Sequence, residues 1–80
     1  MSLARAVELL EQGAWQDAHE IVQKEHSATA AWLHGIVHIL EGDLRNARYW
    51  YGKAEREFPG ADAVQGEIAE ARRQVLGPAP

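Results

Sequence analysis

Apolar positions recur along the chain at intervals of three and four, separated by short polar or glycine-containing breaks. Ser2 is placed to cap a first helix whose stripe is Leu3, Ala6, Val7 and Leu10, before Gly13 interrupts. A second helix begins near Trp15, carries Ala18, Ile21 and Val22, and runs out around Ser27. A third, from about Ala28 to Leu40, is followed by Glu41, Gly42 and Asp43. Gly42 suits the left-handed position that closes a helix, and Asp43 suits the cap that opens the next. The fourth helix carries Leu44, Ala47, Trp50, Tyr51, Ala54 and Phe58 and is ended by Pro59-Gly60. The fifth uses Val64, Ile68, Ala71 and Val75 and stops at Gly77-Pro78. No useful stretch alternates with period two, so the expectation is an all-α fold of five helices. One domain covers residues 1–76, with 77–80 as a disordered tail.

The two early breaks share a pattern. Gly13 and Gly42 are each followed two residues on by an apolar residue, Trp15 or Leu44, and five on by an alanine, Ala18 or Ala47. Such a unit makes a helical hairpin, in which glycine forms the turn, the apolar residue pins it and alanine lets the helices approach. Ala31 and Gly35, four apart, supply a small surface on the third helix. From Ala28 to Pro59 the chain resembles the tetratricopeptide repeat, through Gly35, Gly42-Asp43, Ala47, Tyr51, Ala54 and Pro59 at that family's spacing. It departs from the family at Trp32, where the first helix's aromatic is shifted, and at His34 and His38, which replace apolar residues. The segment Leu3 to His26 is a degenerate second copy. The resemblance implies a right-handed α-α superhelix fragment of one and a half to two TPR-like hairpins plus a capping helix, and a protein-interaction role. The run from His38 to Tyr51 also resembles a segment of uncharacterised microbial proteins, which implies no activity.

Composition narrows the function classes. Eighty residues with 46% apolar and 25% charged side chains suit one small globular domain, and the formal charge is −4. That acidic balance argues against phosphate-tracking nucleic-acid binders. The absence of cysteine removes disulfides, thiolate metal sites and cysteine nucleophiles together. No apolar run reaches the roughly 18 residues that would span a bilayer. Residues 1–10 lack the basic start and long apolar core of a signal peptide, so a soluble, cytoplasmic protein is expected. A chain this short without disulfides sits near the lower limit for a self-sufficient core.

The third helix holds the residues most suggestive of chemistry. Trp32, Leu33, Ile36, Val37, Ile39 and Leu40 cover well over half its circumference, which marks it as the central helix. Its polar interruptions, His34 and His38 with Glu41 at the end, fall on one side. Imidazoles at i and i+4 can reach one cation, with Glu41 as a third ligand and His19 or Glu20 of the second helix completing the set. The competing reading makes the histidines helix-docking residues whose rings donate to carboxylates such as Glu20 or Glu41. No HExxH arrangement is present, and the favoured expectation is the structural one, with no bound cofactor.

Catalysis is not expected. Ser27 beside His26 reads as a helix end and a cap, because adjacent side chains point apart and no third group orients the base. The fourth helix is the one basic element: Arg45, Arg48, Lys53 and Arg56 outweigh Glu55 and Glu57, whereas residues 1–26 are acidic overall. That complementarity suggests self-association more readily than nucleic-acid binding. The function expected is therefore a non-enzymatic interaction module for a protein or peptide, including itself as a homodimer. Its contact residues would be Trp32, Ile36, Ile39 and Leu40 in an apolar groove and Arg45, Arg48 and Tyr49 on the fourth helix. The groove is covered either by the chain's own first and fifth helices or by the partner. The alternative is a metal- or small-ligand-binding helical domain built on His34, His38 and Glu41.

Overall fold

The computed structural model describes residues 2–78. They form α1 (Leu3–Glu11), α2 (Trp15–Val22), α3 (Ala28–Glu41), α4 (Leu44–Lys53) and α5 (Val64–Leu76), with a 3-10 turn at Ala61–Ala63 before the last. No strand occurs among the described residues, and the fold is all-α. The expected tail at 77–80 lies partly outside them, since nothing is described beyond Pro78.

Caps define the helix starts. Ser2 accepts from the Arg5 amide at 3.2 Å, Ser27 from the Ala30 amide at 3.1 Å and Asp43 from the Asn46 amide at 3.2 Å. Gly13 and Gly42 make the tight turns between α1 and α2 and between α3 and α4, with φ of +76° and +91° that other residues rarely adopt. At α3 the amides of Gly42 and Asp43 both return to the His38 carbonyl, at 3.1 and 2.9 Å, and close the helix end.

Two helices are shorter than the apolar spacing predicts. α2 stops at Val22, and Gln23 to His26 form an exposed connection. α4 stops at Lys53, although its 3–4 pattern continues to Phe58. Glu55 turns left-handed at φ +60°, and the Arg56 amide reaches back to the Tyr51 carbonyl at 3.0 Å. The chain then folds over, so that Phe58 meets Tyr51 edge-on at 5.6 Å instead of extending the stripe. A turn and a helix can bring the same apolar residues together, and periodicity alone does not separate them.

α3 is the centre of the molecule. Ten consecutive residues, Ala30 to Ile39, are buried. α2 and α4 pack on it from two sides, and α5 lies across α1 and α3. The closest approach is at Gly35, where an added Cβ would lie 2.5 Å from the Tyr51 ring. Trp32 is covered from the α5 side: its Nε1 donates to Glu67 at 3.1 Å, and the Arg56 guanidinium stacks on its ring at 3.5 Å. Glu67 also accepts from the Tyr51 hydroxyl at 2.7 Å. Arg72 of α5 reaches Glu11 of α1 at 2.8 Å, tying the last helix to the first.

The groove expected on Trp32, Ile36, Ile39 and Leu40 is therefore closed by the chain itself. Trp32 and Ile36 are fully buried, Ile39 is buried and Leu40 is half-buried. Glu67 of α5 and Arg56 of the preceding turn cover Trp32, and α1 as well as α5 packs on α3. Trp32, Ile36 and Ile39 are thus part of the core, and Leu40 alone of the four keeps some exposed surface.

Candidate metal centre

Opposite the Trp32 face, α3 turns its polar side toward α2 and α4. His34 and His38 sit one helical turn apart, and both are buried, with relative exposures of 5% and 8%. His19, on the face of α2 that packs against α3, brings a third imidazole to them. The ring centroids are 4.7 Å apart for His19 and His34, 5.6 Å for His19 and His38, and 5.0 Å for His34 and His38. One ligand nitrogen from each ring lies within 4.8 Å of the others.

Those spacings can be set against coordination chemistry. Zinc holds imidazole nitrogens at about 2.0–2.1 Å, so neighbouring ligands of a tetrahedral ion are about 3.3 Å apart and their ring centroids about 5 Å apart. The observed centroid spacings already bracket that value. Small side-chain rotations, closing the nitrogens by no more than about 1.5 Å, would complete a three-imidazole set.

Each ring is positioned by a distinct neighbour. His38 Nδ1 lies 2.7 Å from Glu41 Oε1. With its Nδ1 proton donated to that carboxylate, His38 keeps Nε2 as the nitrogen with a free lone pair. His34 lies flat against Trp50 of α4, with centroids 3.8 Å apart and planes 9° from parallel. Burial first, then the neighbouring His19 and His38, lower the His34 pKa from 6.5 to about 4. Its ring is thus uncharged near neutral pH, the form that ligates metals.

The sequence-predicted set is redistributed. His34 and His38 come together as anticipated, and His19, named as a completing residue, joins them. Glu41 is not a third ligand beside them: its carboxylate stands on the Nδ1 side of His38, as the docking reading anticipated, and the cluster with His34 does not include it. Glu20 points to solvent and accepts from Gln23 at 3.2 Å. Asp43 approaches His38 and Glu41, but hydrogen bonds from the Asn46 amide and side chain engage its carboxylate and hold its pKa below the ordinary range.

Trp50 has a second contact that periodicity does not reveal. It falls on the α4 stripe with Ala47 and Tyr51, is half-buried, and packs against the core while stacking its ring on His34. Of the α4 candidates, Arg45 and Arg48 are exposed, and Tyr49 is the most exposed large apolar side chain at 56%. Arg48 lies over the Phe58 ring at 4.6 Å. A cleft beside His34 and Trp50 runs between the α2–α3 connection and α4, with Ala31 in its wall and Lys53 and His26 at its rim.

Fold and site together define an all-helical domain with three imidazoles gathered at its central helix. The chain matches no family model, no curated protein and no solved structure. No helix among the described residues is long and apolar enough to cross a membrane.

Proposed function

We propose that this chain is a small helical domain that binds a divalent transition-metal ion through His19, His34 and His38. The observation that supports this most is the convergence of three imidazoles, from two helices, with one ligand nitrogen of each within 4.8 Å of the others. Imidazole nitrogens favour zinc, copper and nickel over magnesium or calcium, which prefer oxygen. Glu41 behind His38 supplies the orienting carboxylate that metal-bound histidines commonly have. The ion would link α2 to α3, which suits a chain too small for a large core and without disulfides.

Titration calorimetry with zinc chloride tests the reading. The parent protein takes up one equivalent, and a His34→Ala/His38→Ala variant that keeps its helical circular dichroism takes up none. A parent that binds no zinc, copper or nickel refutes it.

A second reading, the helical interaction module, keeps only its α4 face. Arg45, Arg48 and Tyr49 remain exposed on one basic helix, which suits an acidic protein segment, the acidic α1–α2 hairpin of a second copy included. Sedimentation separates the copies: a monomer at tens of micromolar concentration, unchanged by salt, removes the self-association form.

A further inference from the structure

The cleft between the α2–α3 connection and α4 carries charge of both signs. Glu25 of the connection and Glu55, just past α4, line it together with Lys53 of α4. All three are exposed, and none forms an ion pair among the described residues. A patch selective for an ion gains from a single sign. A patch that meets its own copy gains from both, because across a two-fold axis the cation of each copy can stand opposite the acids of the other.

Shape on the same face is mixed in the same way. Tyr49 at the edge of the cleft is 56% exposed and stands upright on α4, at 90° to the Trp50 ring with centroids 5.3 Å apart. Lys53 Nζ accompanies it, 6.0 Å from the centroid of its ring. A tyrosine supplies a large apolar body with a polar tip, which suits it to anchor an interface. Trp50 forms the apolar wall of the hollow beside it. Gly52, three residues on and on the Tyr49 side of α4, has no positive φ and nothing within 4 Å of where a Cβ would stand. Alanine would suit that helical backbone better, so the fold among the described residues does not call for glycine there. Close approach of another surface does.

We infer that this face is self-complementary: a second copy of the chain docks on it about a two-fold axis, with Tyr49 of each copy against the cleft of the other and Lys53 of each opposite Glu25 and Glu55 of the other. The inference rests on the interaction-module reading, names its partner, and moves the contact from the α1–α2 hairpin to the cleft. It requires no bound ion.

Sedimentation velocity of the full-length protein, from micromolar to about millimolar concentration, tests it. The parent passes from monomer to dimer and no further, since a two-fold contact closes on itself, and added salt weakens the dimer. Tyr49→Ala raises the dissociation constant about tenfold with helical circular dichroism retained. Gly52→Ala raises the thermal midpoint of the monomer yet weakens the dimer. Lys53→Glu and the double variant Glu25→Lys/Glu55→Lys each fail to pair with themselves, because like charges then meet across the axis. Mixed together they form a heterodimer, in which every one of these contacts joins opposite charges. A parent that stays monomeric overturns the inference, as does association that grows beyond the dimer or a dimer that none of these variants weakens. The interaction-module reading is tested apart from it by titrating poly-glutamate into the monomer: binding that Arg45→Glu/Arg48→Glu abolishes keeps that reading, and no binding by a monomeric parent removes it too.

Discussion

The two polar faces of α3 solve the same problem in opposite ways. On the α5 side, Trp32 and Tyr51 bring two donors into the core, and one carboxylate, Glu67, accepts from both, at 3.1 and 2.7 Å. Donors and acceptor balance, and the Arg56 guanidinium stacks on the Trp32 ring at 3.5 Å. On the α2 side, three imidazoles bring three lone pairs together, and the one partner close to them, Glu41, is itself an acceptor. The first network is closed by its own residues. In the second, each neutral ring carries one N–H and one lone pair, only His38 is held by a carboxylate, and no buried side-chain nitrogen among the described residues is left without a partner. Burial is therefore a poor guide to role here: the two faces differ in their partners, a carboxylate shared by two donors on one and clustered imidazoles on the other.

Glu67→Ala should break the balanced face most severely. It strands the Trp32 Nε1 and the Tyr51 hydroxyl together, and urea unfolding should show a loss of about 2–4 kcal/mol with metal affinity unchanged. Gly35→Ala acts between the two faces. The new methyl meets the buried Tyr51 ring, and overpacking outweighs the gain in helix propensity, for a net loss of about 1–3 kcal/mol by the same assay.

Tyr51→Phe removes one donor and should cost about 1–2 kcal/mol. It also carries a pH signature. Burial, and then the hydrogen bond and charge of Glu67, raise the Tyr51 pKa well above 10, so the folded chain keeps a proton that the unfolded chain releases. The stability contributed by Tyr51 is complete below about pH 10 and falls as pH rises beyond it. Thermal melts between pH 8 and 11 (roughly two units below and one above that onset) should show the decline in the parent and a shallower one in Tyr51→Phe. Glu41→Gln should affect stability least. It leaves a weaker acceptor on His38, so zinc affinity drops about tenfold while the urea midpoint barely moves.

Much of this fold can be read from particular residues. Gly42 and Asp43 mark one turn, Gly13 another, and the wide apolar cover of the third helix announces its central place. The end of α4 cannot be read that way, because Phe58 stays in phase with the helix while reaching Tyr51 through a left-handed Glu55. Closure over Trp32 is equally hidden: an apolar groove and an apolar core have the same residues, and only the path of α5 distinguishes them. At the site, the i, i+4 spacing of His34 and His38 is legible. The choice of His19 over Glu41 as their companion is set by how α2 docks on α3, a tertiary fact with no local signal. Trp50 is read in part: its place on the apolar stripe announces its packing against the core, and its stacking on His34 has no local signal.

The central claim is that His19, His34 and His38 act as one ligand set. The most direct test is a long-range imidazole nitrogen–proton NMR spectrum at neutral pH, before and after one equivalent of zinc. The account predicts that the ring signals of His19, His34 and His38 move together and saturate at that equivalent, while exposed His26 stays in place. Unchanged signals from the three, or a shift confined to His26, would contradict it.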